Sequence, residues 1–542
     1  MPLDDRTTAV PADSAAGTAL AGTTDADTTS TGTGTIRTGT IRTGTTSTDT
    51  ADDAGSAFAD TVGAGAAPPA EAAPAGTAGA RAGTGSTWSA LRPLFLRLHF
   101  YAGLLIAPLL LVAATSGLLY ALSFQAEKIL YRHELQVPVG DRVLPLSAQV
   151  AAARAAHPDA TVTAVWPSPE DGATTRVLMT GPAVEEGRSL AVFVDPYTAD
   201  VRGALPSYGS SGALPLRTWL SEFHANLRLG EPGRLYSETA ASWMWVVALG
   251  GLALWVGRRR TARRALFVPE RGLTSRRRTL SWHGSVGLWA VAGLVVLSAT
   301  GLTWSRYAGE NIDVIQTRLG GATPTVSAAL DPAAAGPDAG HEGHGAGHHT
   351  APAPKGPDIG IDRAVEAARD AGVAGRIAVT LPAEGQGYVI KETDTQYPVH
   401  LDAVALDPAD GTVVDELRFA DHPVLAKLTR FGIDAHMGVL FGLANQLVLA
   451  ALMVALLLLV LWGCRMWWLR RPTKERRLSA GRPAPRGAWR KVPVTLLLPL
   501  AAATALVGWF VPLLGISLLV FLAVDLLLGR VARARTRTTP SA

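Results

Sequence analysis

The 542-residue chain is 48% hydrophobic and only 17% charged, against about 25% charged in ordinary soluble domains, so its composition points to a membrane protein. A net charge of +4, from 49 basic and 45 acidic residues, is too slight and too scattered to argue for a nucleic-acid partner. The lone thiol, Cys464, excludes an internal disulfide, a four-cysteine zinc site and a cysteine-held iron–sulfur cluster within one chain, which leaves nitrogen and oxygen as metal ligands.

Residues 1–90 form a Thr/Gly/Ala-rich arm with the repeat TGTIRTGTIRTGT and too few large apolar residues for a core, so a disordered cytoplasmic segment is expected. The arm lacks the pattern of a cleavable signal, so the first hydrophobic helix must act as both signal and anchor. Four apolar segments follow, at about 98–122, 240–257, 281–304 and 437–463, each long enough to cross a hydrocarbon core of roughly 30 Å. The expected order is transmembrane helix 1 within 91–123, an external module at 124–239, helix 2 at 240–257, a basic loop at 258–280 and helix 3 at 281–304. A second external module with a His-rich loop occupies 305–436, then helix 4 at 437–463, a basic loop at 464–492, an apolar hairpin at 493–528 broken near Pro512 and Gly515, and a basic tail at 529–542.

Basic residues set the direction. Arg258–Arg260, Arg263, Arg264 and Arg276–Arg278 crowd one loop, Arg465, Arg470, Arg471, Lys474, Arg476 and Arg477 another, and Arg530, Arg533, Arg535 and Arg537 the tail. The positive-inside rule makes these cytoplasmic, together with both termini, in a multi-pass plasma-membrane protein. Trp243, Trp282, Trp304, Trp462, Trp467 and Trp468 read as interfacial anchors.

The chain also repeats itself. His99 precedes Gly117 of ATSGL by the spacing that separates His283 from Gly301 of SATGL. Each copy continues with a helix-like stretch (Leu146–His157, Ile361–Ala371) and Val-rich extended runs ending in a turn, FVDPYTADVRGAL and ALDPADGTVVDEL. A histidine with a glycine six positions on then leads into a span carrying Leu-Trp, His224 with Gly230 and His436 with Gly442. The repeat gives two histidines that open outward-running helices at the cytoplasmic side, His99 and His283, and two that precede or open inward-running helices at the outer side, His224 and His436. Two imidazoles at equal depth can supply both axial nitrogens of one haem iron, so two haems are expected, one near each face, in an arrangement suited to electron transfer. Gly103, Gly117, Gly284, Gly287 and Gly301 would make room for the macrocycles. Arg97 and Arg276–Arg278 inside, and Arg217, Arg228 or Arg430 outside, are candidate propionate partners.

With LHFYAGLL, FHANLRLG, WHGSVGLW and DAHMGVLFG in order, residues 92–470 resemble the PepSY-associated transmembrane family. That family includes inner-membrane reductases with two b-type haems that reduce ferric siderophore complexes on the outer side. The resemblance implies His99, His224, His283 and His436 as ligands of two haem b groups. The fold class it implies is a mainly α integral membrane protein with a four-helix core bundle, a C-terminal helical hairpin and two small α+β PepSY-like extracytoplasmic modules.

No GxGxxG follows a predicted strand, and the cytoplasmic loops are too short for a flavin or nicotinamide domain, so electrons are expected from a cytoplasmic flavoprotein or a membrane quinol. The acceptor would be an external metal complex, making the chain an oxidoreductase that needs a separate donor. The alternative is a membrane-anchored PepSY binding or regulatory protein for a peptidase or envelope partner, with structural histidines; a metal permease is a third reading. His341, His344, His348 and His349, in HEGHGAGHH, form a weaker candidate for loose metal capture. Asp525 in the last apolar stretch is expected near the inner interface, with pairing to an arginine of a neighbouring helix or a proton relay as alternatives. Asn445 and Gln446 are expected to hydrogen-bond between helices.

Overall fold

The computed structural model describes residues 87–258, 263–331, 356–470 and 487–537. In chain order these form α1 (Thr87–Leu130), α2 (Arg132–Leu135), α3 (Leu146–Ala156), β1 (Thr161–Trp166), β2 (Thr175–Thr180), β3 (Ser189–Val194), β4 (Val201–Ser207), α4 (Pro215–Asn226) and α5 (Glu231–Val256). The second copy runs α6 (Ser275–Leu302), α7 (Tyr307–Arg318), α8 (Gly360–Asp370), β5 (Ile377–Thr380), β6 (Tyr388–Glu392), β7 (Ala403–Leu406), β8 (Val413–Leu417), α9 (Val424–Met437) and α10 (Gly442–Trp468), followed by α11 (Val494–Phe510) and α12 (Pro512–Arg537). Five helices among the described residues, α1, α5, α6, α10 and α12, are long and apolar enough to cross a membrane, and α11 is a shorter apolar helix of 17 residues. The chain is a multi-pass membrane protein. The histidines at 341–349 and most of the arm at 1–90 lie outside the described residues.

Helix α1 packs against α5 and α10, and so does α6, so α1 and α6 stand diagonally with α5 and α10 between them. Small residues permit this approach: Ala114 of α1 and Ala290 of α6 are buried in one cluster with Leu294, Met453, Leu456 and Leu459. Gln446 Oε1 accepts from Gln125 Nε2 at 2.9 Å and Asn445 Nδ2 donates to the Ala435 carbonyl, so both amides join helices as expected. The α11–α12 hairpin packs onto this group through Val511 and Leu514, and Trp243 lies buried with its Nε1 donating to Ser517 Oγ at 2.8 Å. Trp243 is therefore an interior residue rather than an interfacial anchor. Asp525 of α12 pairs with Arg97 of α1, which selects the arginine-pairing alternative for this acid.

The two extracytoplasmic-type segments do not form separate modules. Their strands join in one eight-stranded antiparallel sheet, in the order β4-β3-β2-β1-β5-β6-β7-β8. The join is the β1–β5 pair, with Ala164 opposite Thr380 and Val165 opposite Val379. Helices α3 and α8 cover one face together, and a single core runs from Val150 and Ala153 through Val165, Val177 and Val379 to Ile390 and Leu406. Asp362 of α8 accepts the Leu146 backbone N–H at 2.7 Å, so a carboxylate of the second copy satisfies an orphan donor at the start of α3 in the first. In the turn after β3 the Asp195 carboxylate accepts the Tyr197 N–H, and after β7 Asp407 accepts from Ala409, both at 2.8 Å. The left-handed residue of this turn is Gly411 in the second copy and Ala199 in the first. Pairing the halves removes the two edges that separate four-stranded sheets would expose at β1 and β5.

Candidate functional site

The four histidines stand at two levels, His99 with His283 in ring-to-ring proximity at one and His224 with His436 near enough to influence one another electrostatically at the other. At the end of the helices away from the sheet, His99 of α1 and His283 of α6 face one another with ring centres 6.3 Å apart and ring planes at 73°. Seventeen residues further along each helix, about 25 Å at 1.5 Å per residue, stand Ser116 and Thr300, which reach the other two histidines. His224 and His436 are not on the spanning helices but on α4 and α9, which precede α5 and α10. Each is followed by a reversal that needs left-handed backbone. Leu227, Arg228 and Gly230 have positive φ in the first copy, and Gly438 and Gly442 in the second, so the glycine six positions after each histidine sits where the chain turns into the next span.

The second ring nitrogen of each histidine fixes its tautomer. His99 Nδ1 lies 3.0 Å from the Val247 carbonyl and His283 Nδ1 3.1 Å from the Leu459 carbonyl. A carbonyl only accepts, so Nδ1 carries the proton and the lone pair is on Nε2. At the other level His224 Nδ1 is 2.8 Å from Ser116 Oγ, and His436 Nδ1 is 2.8 Å from Thr300 Oγ1. Each hydroxyl spends its single proton on the helix carbonyl four residues back, Val112 or Val296. The hydroxyl must therefore accept from the ring, and again Nε2 keeps the lone pair. Burial pushes the His224 imidazole below the usual histidine range, opposed by a hydrogen bond to the Ala113 carbonyl. At His436 burial lowers it to about 3, and the neighbouring His224 adds to the fall. Both rings are neutral at pH 7, the form that ligates a metal.

Glycine surrounds these rings. A Cβ on Gly117 would lie 3.4 Å from His224 Cε1, and one on Gly301 3.4 Å from His436 Cε1. Gly251 of α5 is tighter, with His99 Cε1 at 2.9 Å, and Gly463 of α10 approaches His283 Cε1 at 4.0 Å. Gly103 opens on space with nothing within 4 Å, and Gly287 makes only an ordinary contact with Leu459. Gly284 does not offer room for a ligand: a Cβ there would strike the Trp255 ring at 2.2 Å, so that space is already filled by an indole.

The outer propionate candidates all have acidic partners. Arg217 is buried against Glu127 at 3.0 Å, Arg430 bonds Asp434 at 2.8 Å, and Arg228 pairs with Glu222. Arg97 is likewise committed to Asp525. All four are held in ion pairs; the acids of Arg97 and Arg217 lie on other helices and leave no sequence signal, whereas Arg430 with Asp434 is an i,i+4 pair of one helix. Arg276–Arg278 are exposed. Arg278 alone of the three lines a recess, described below.

Among the described residues no three of His, Cys, Asp and Glu gather at one point, so the histidines remain pairs. A zinc site needs three or four protein ligands. A haem brings four nitrogens of its own and needs one or two more from the protein. With iron–nitrogen bonds of about 2.0 Å, as for other imidazole–metal bonds, and about 1.1 Å from ring nitrogen to ring centre, two imidazoles sharing an iron end-on have centres about 6 Å apart. The His99–His283 separation meets this value. A histidine whose Nδ1 is held by a carbonyl or hydroxyl oxygen is oriented as metal-ligating histidines commonly are.

Val247 and Leu459, Gly251 and Gly463, and His224 and His436 are all related by one offset. The same offset matches Trp255 to Trp467, so the Leu-Trp pairs at 254–255 and 461–462 are not equivalent positions of the repeat.

No curated protein matches the chain. The family described as the PepSY-associated TM region matches residues 96–470, more than two thirds of the sequence and all four histidines. The chain belongs to the PepSY-associated TM family.

Proposed function

We propose that this protein is a transmembrane di-haem electron carrier that passes electrons outward to an external metal complex such as a ferric siderophore. His99 and His283 would hold one haem b, and His224 and His436 the other. The single observation that carries the reading is the common setting of the four imidazoles: each has Nδ1 within hydrogen-bond distance of a fixed oxygen, which leaves Nε2 as the nitrogen available to a metal. Haem iron supplies one-electron chemistry in an environment too apolar for free ions. The residues of the chain orient the ligand rings through their Nδ1 partners and would leave Nε2 of each to meet iron.

By the positive-inside rule, the basic loop carrying Arg263, Arg264 and Arg276–Arg278 supports a His99–His283 level toward the cytoplasm and a sheet outside, in a plasma-membrane protein with both termini inside. Electrons then enter from a cytoplasmic flavoprotein or a membrane quinol. With the cytoplasm negative, outward movement of one electron gains up to about 2.3 kcal/mol per 100 mV of the field it crosses.

Purified protein from haem-replete cells should give a dithionite-reduced b-type spectrum, and a ferric chelate added to the reduced protein should restore the oxidised spectrum. A colourless preparation, or a reduced haem that the chelate leaves unchanged, would contradict the reading at the cofactor or at the acceptor respectively.

A further inference from the structure

At the ends of α6 and α10 away from the sheet, Arg278, Thr279, Trp282, Trp462 and Arg465 line a recess of about 250 Å³. Trp282 and Trp462 form one wall, with ring centres 5.9 Å apart. The recess lies between α6 and α10 at the same end of these helices as His283. Trp282 precedes His283 in sequence, and Trp462 lies between Leu459, whose carbonyl accepts from His283, and Gly463, which borders the same ring. Arg278 is five residues before His283, a rise of about 7.5 Å along α6, and Arg465 is six after Leu459, about 9 Å along α10.

Neither guanidinium in this recess meets a carboxylate among the described residues. Arg465 bonds only neutral oxygens, Thr279 Oγ1 at 2.9 Å and Ser275 Oγ at 3.1 Å. Arg97, Arg217, Arg228 and Arg430, the other arginines considered for a carboxylate ligand, each have an acid. Two cations beside an apolar wall, about one to two helical turns along α6 and α10 from the His283 ring and its Leu459 acceptor, suit a ligand with an apolar body and two anionic groups on one edge. Haem has that form, and its propionates need cations where they leave the hydrocarbon.

We infer that Arg278 and Arg465 hold the propionate carboxylates of the haem bound by His99 and His283, with Trp282 and Trp462 against its edge. The inference rests on the di-haem reading and assigns a function to residues outside the ligand set. It also makes the two levels unlike, because the arginines suggested by sequence for the outer level are spent on Glu127, Glu222 and Asp434.

The test is a redox titration and haem count of the purified holoprotein and of Arg278→Gln, Arg465→Gln and the double variant, in nanodiscs of zwitterionic and of anionic lipid. Loss of two positive charges favours the ferric state, so the midpoint of the haem that His99→Ala removes should fall in the double variant, or that haem should wash out. The other haem stays at its wild-type midpoint and reports that the protein is folded. Both haems present at unchanged midpoints in the double variant would overturn the inference alone. An effect only on anionic-lipid dependence, with both midpoints fixed, would assign the recess to a phosphate headgroup and overturn it as well. A wild-type protein without haem would overturn this inference and the di-haem reading together.

Discussion

Removing the hydroxyls at Ser116 and Thr300 separates the two histidine levels by a change that touches no ligand. In Thr300→Val the His436 Nδ1–H loses its acceptor at 2.8 Å in a buried position, and Ser116→Ala takes the Oγ at 2.8 Å from His224 Nδ1 and leaves that ring the Ala113 carbonyl. An unmet buried donor costs about 1–3 kcal/mol, and loss of such an outer-shell partner weakens metal binding about 10- to 100-fold, or about 1.4–2.7 kcal/mol. The ring can also flip its tautomer and present a protonated Nε2, which cannot ligate. At the other level the acceptors are the Val247 and Leu459 carbonyls, which no side-chain change removes. The double variant should therefore lose the outer haem 10- to 100-fold more readily to apomyoglobin, a haem scavenger, while retaining the inner haem at the wild-type rate. The exchanged pair Ser116→Thr with Thr300→Ser keeps both hydroxyls and should restore retention. Equal retention of both haems in the double variant, or selective loss of the inner one, would refute the tautomer argument.

Three further outcomes follow from other contacts. Gly251→Val places a side chain against His99, already 2.9 Å from a Cβ, and should empty the His99–His283 level with the outer haem kept, as read from the difference spectrum. Breaking the buried Glu127–Arg217 pair with Glu127→Gln should cost about 3–5 kcal/mol, seen as a lower melting temperature. Because Arg217 sits on α4 two turns before His224, the same change should weaken the outer haem first. Asp525→Asn should release α12 from Arg97 and expose the C-terminal helix to protease, leaving haem content unchanged.

Much of the site was legible because the repeat fixes spacing. The pairs His99/Gly117 and His283/Gly301 mark helix positions whose rise is set by the backbone alone, and the glycines after His224 and His436 mark turns that require positive φ. The Nδ1 acceptors were half-legible. Ser116 and Thr300 stand beside the glycines in ATSGL and SATGL, but the backbone carbonyls of Val247 and Leu459 carry no residue signature. Gly251 and Gly463 were missed for a related reason: they follow those carbonyls by one helical turn, and their role depends on which face of α5 and α10 turns inward. The sheet join was not legible either. β1 and β5 are separated by more than two hundred residues, and nothing in TVTAVW or IAVT distinguishes an edge strand from a central one. Charge pairs across helices, such as Arg217 with Glu127, belong to the same class of long-range contact.

The central claim is that imidazoles meet in pairs to hold iron porphyrin at two levels. Haem per polypeptide, measured by pyridine haemochrome on the wild type and on His99→Ala, His283→Ala, His224→Ala and His436→Ala, tests it directly. Two haems are expected in the wild type and one in every variant, with the same haem missing from His99→Ala and His283→Ala and the other missing from His224→Ala and His436→Ala. A wild type without haem, or a variant set in which His99→Ala and His224→Ala lose the same haem, would contradict it.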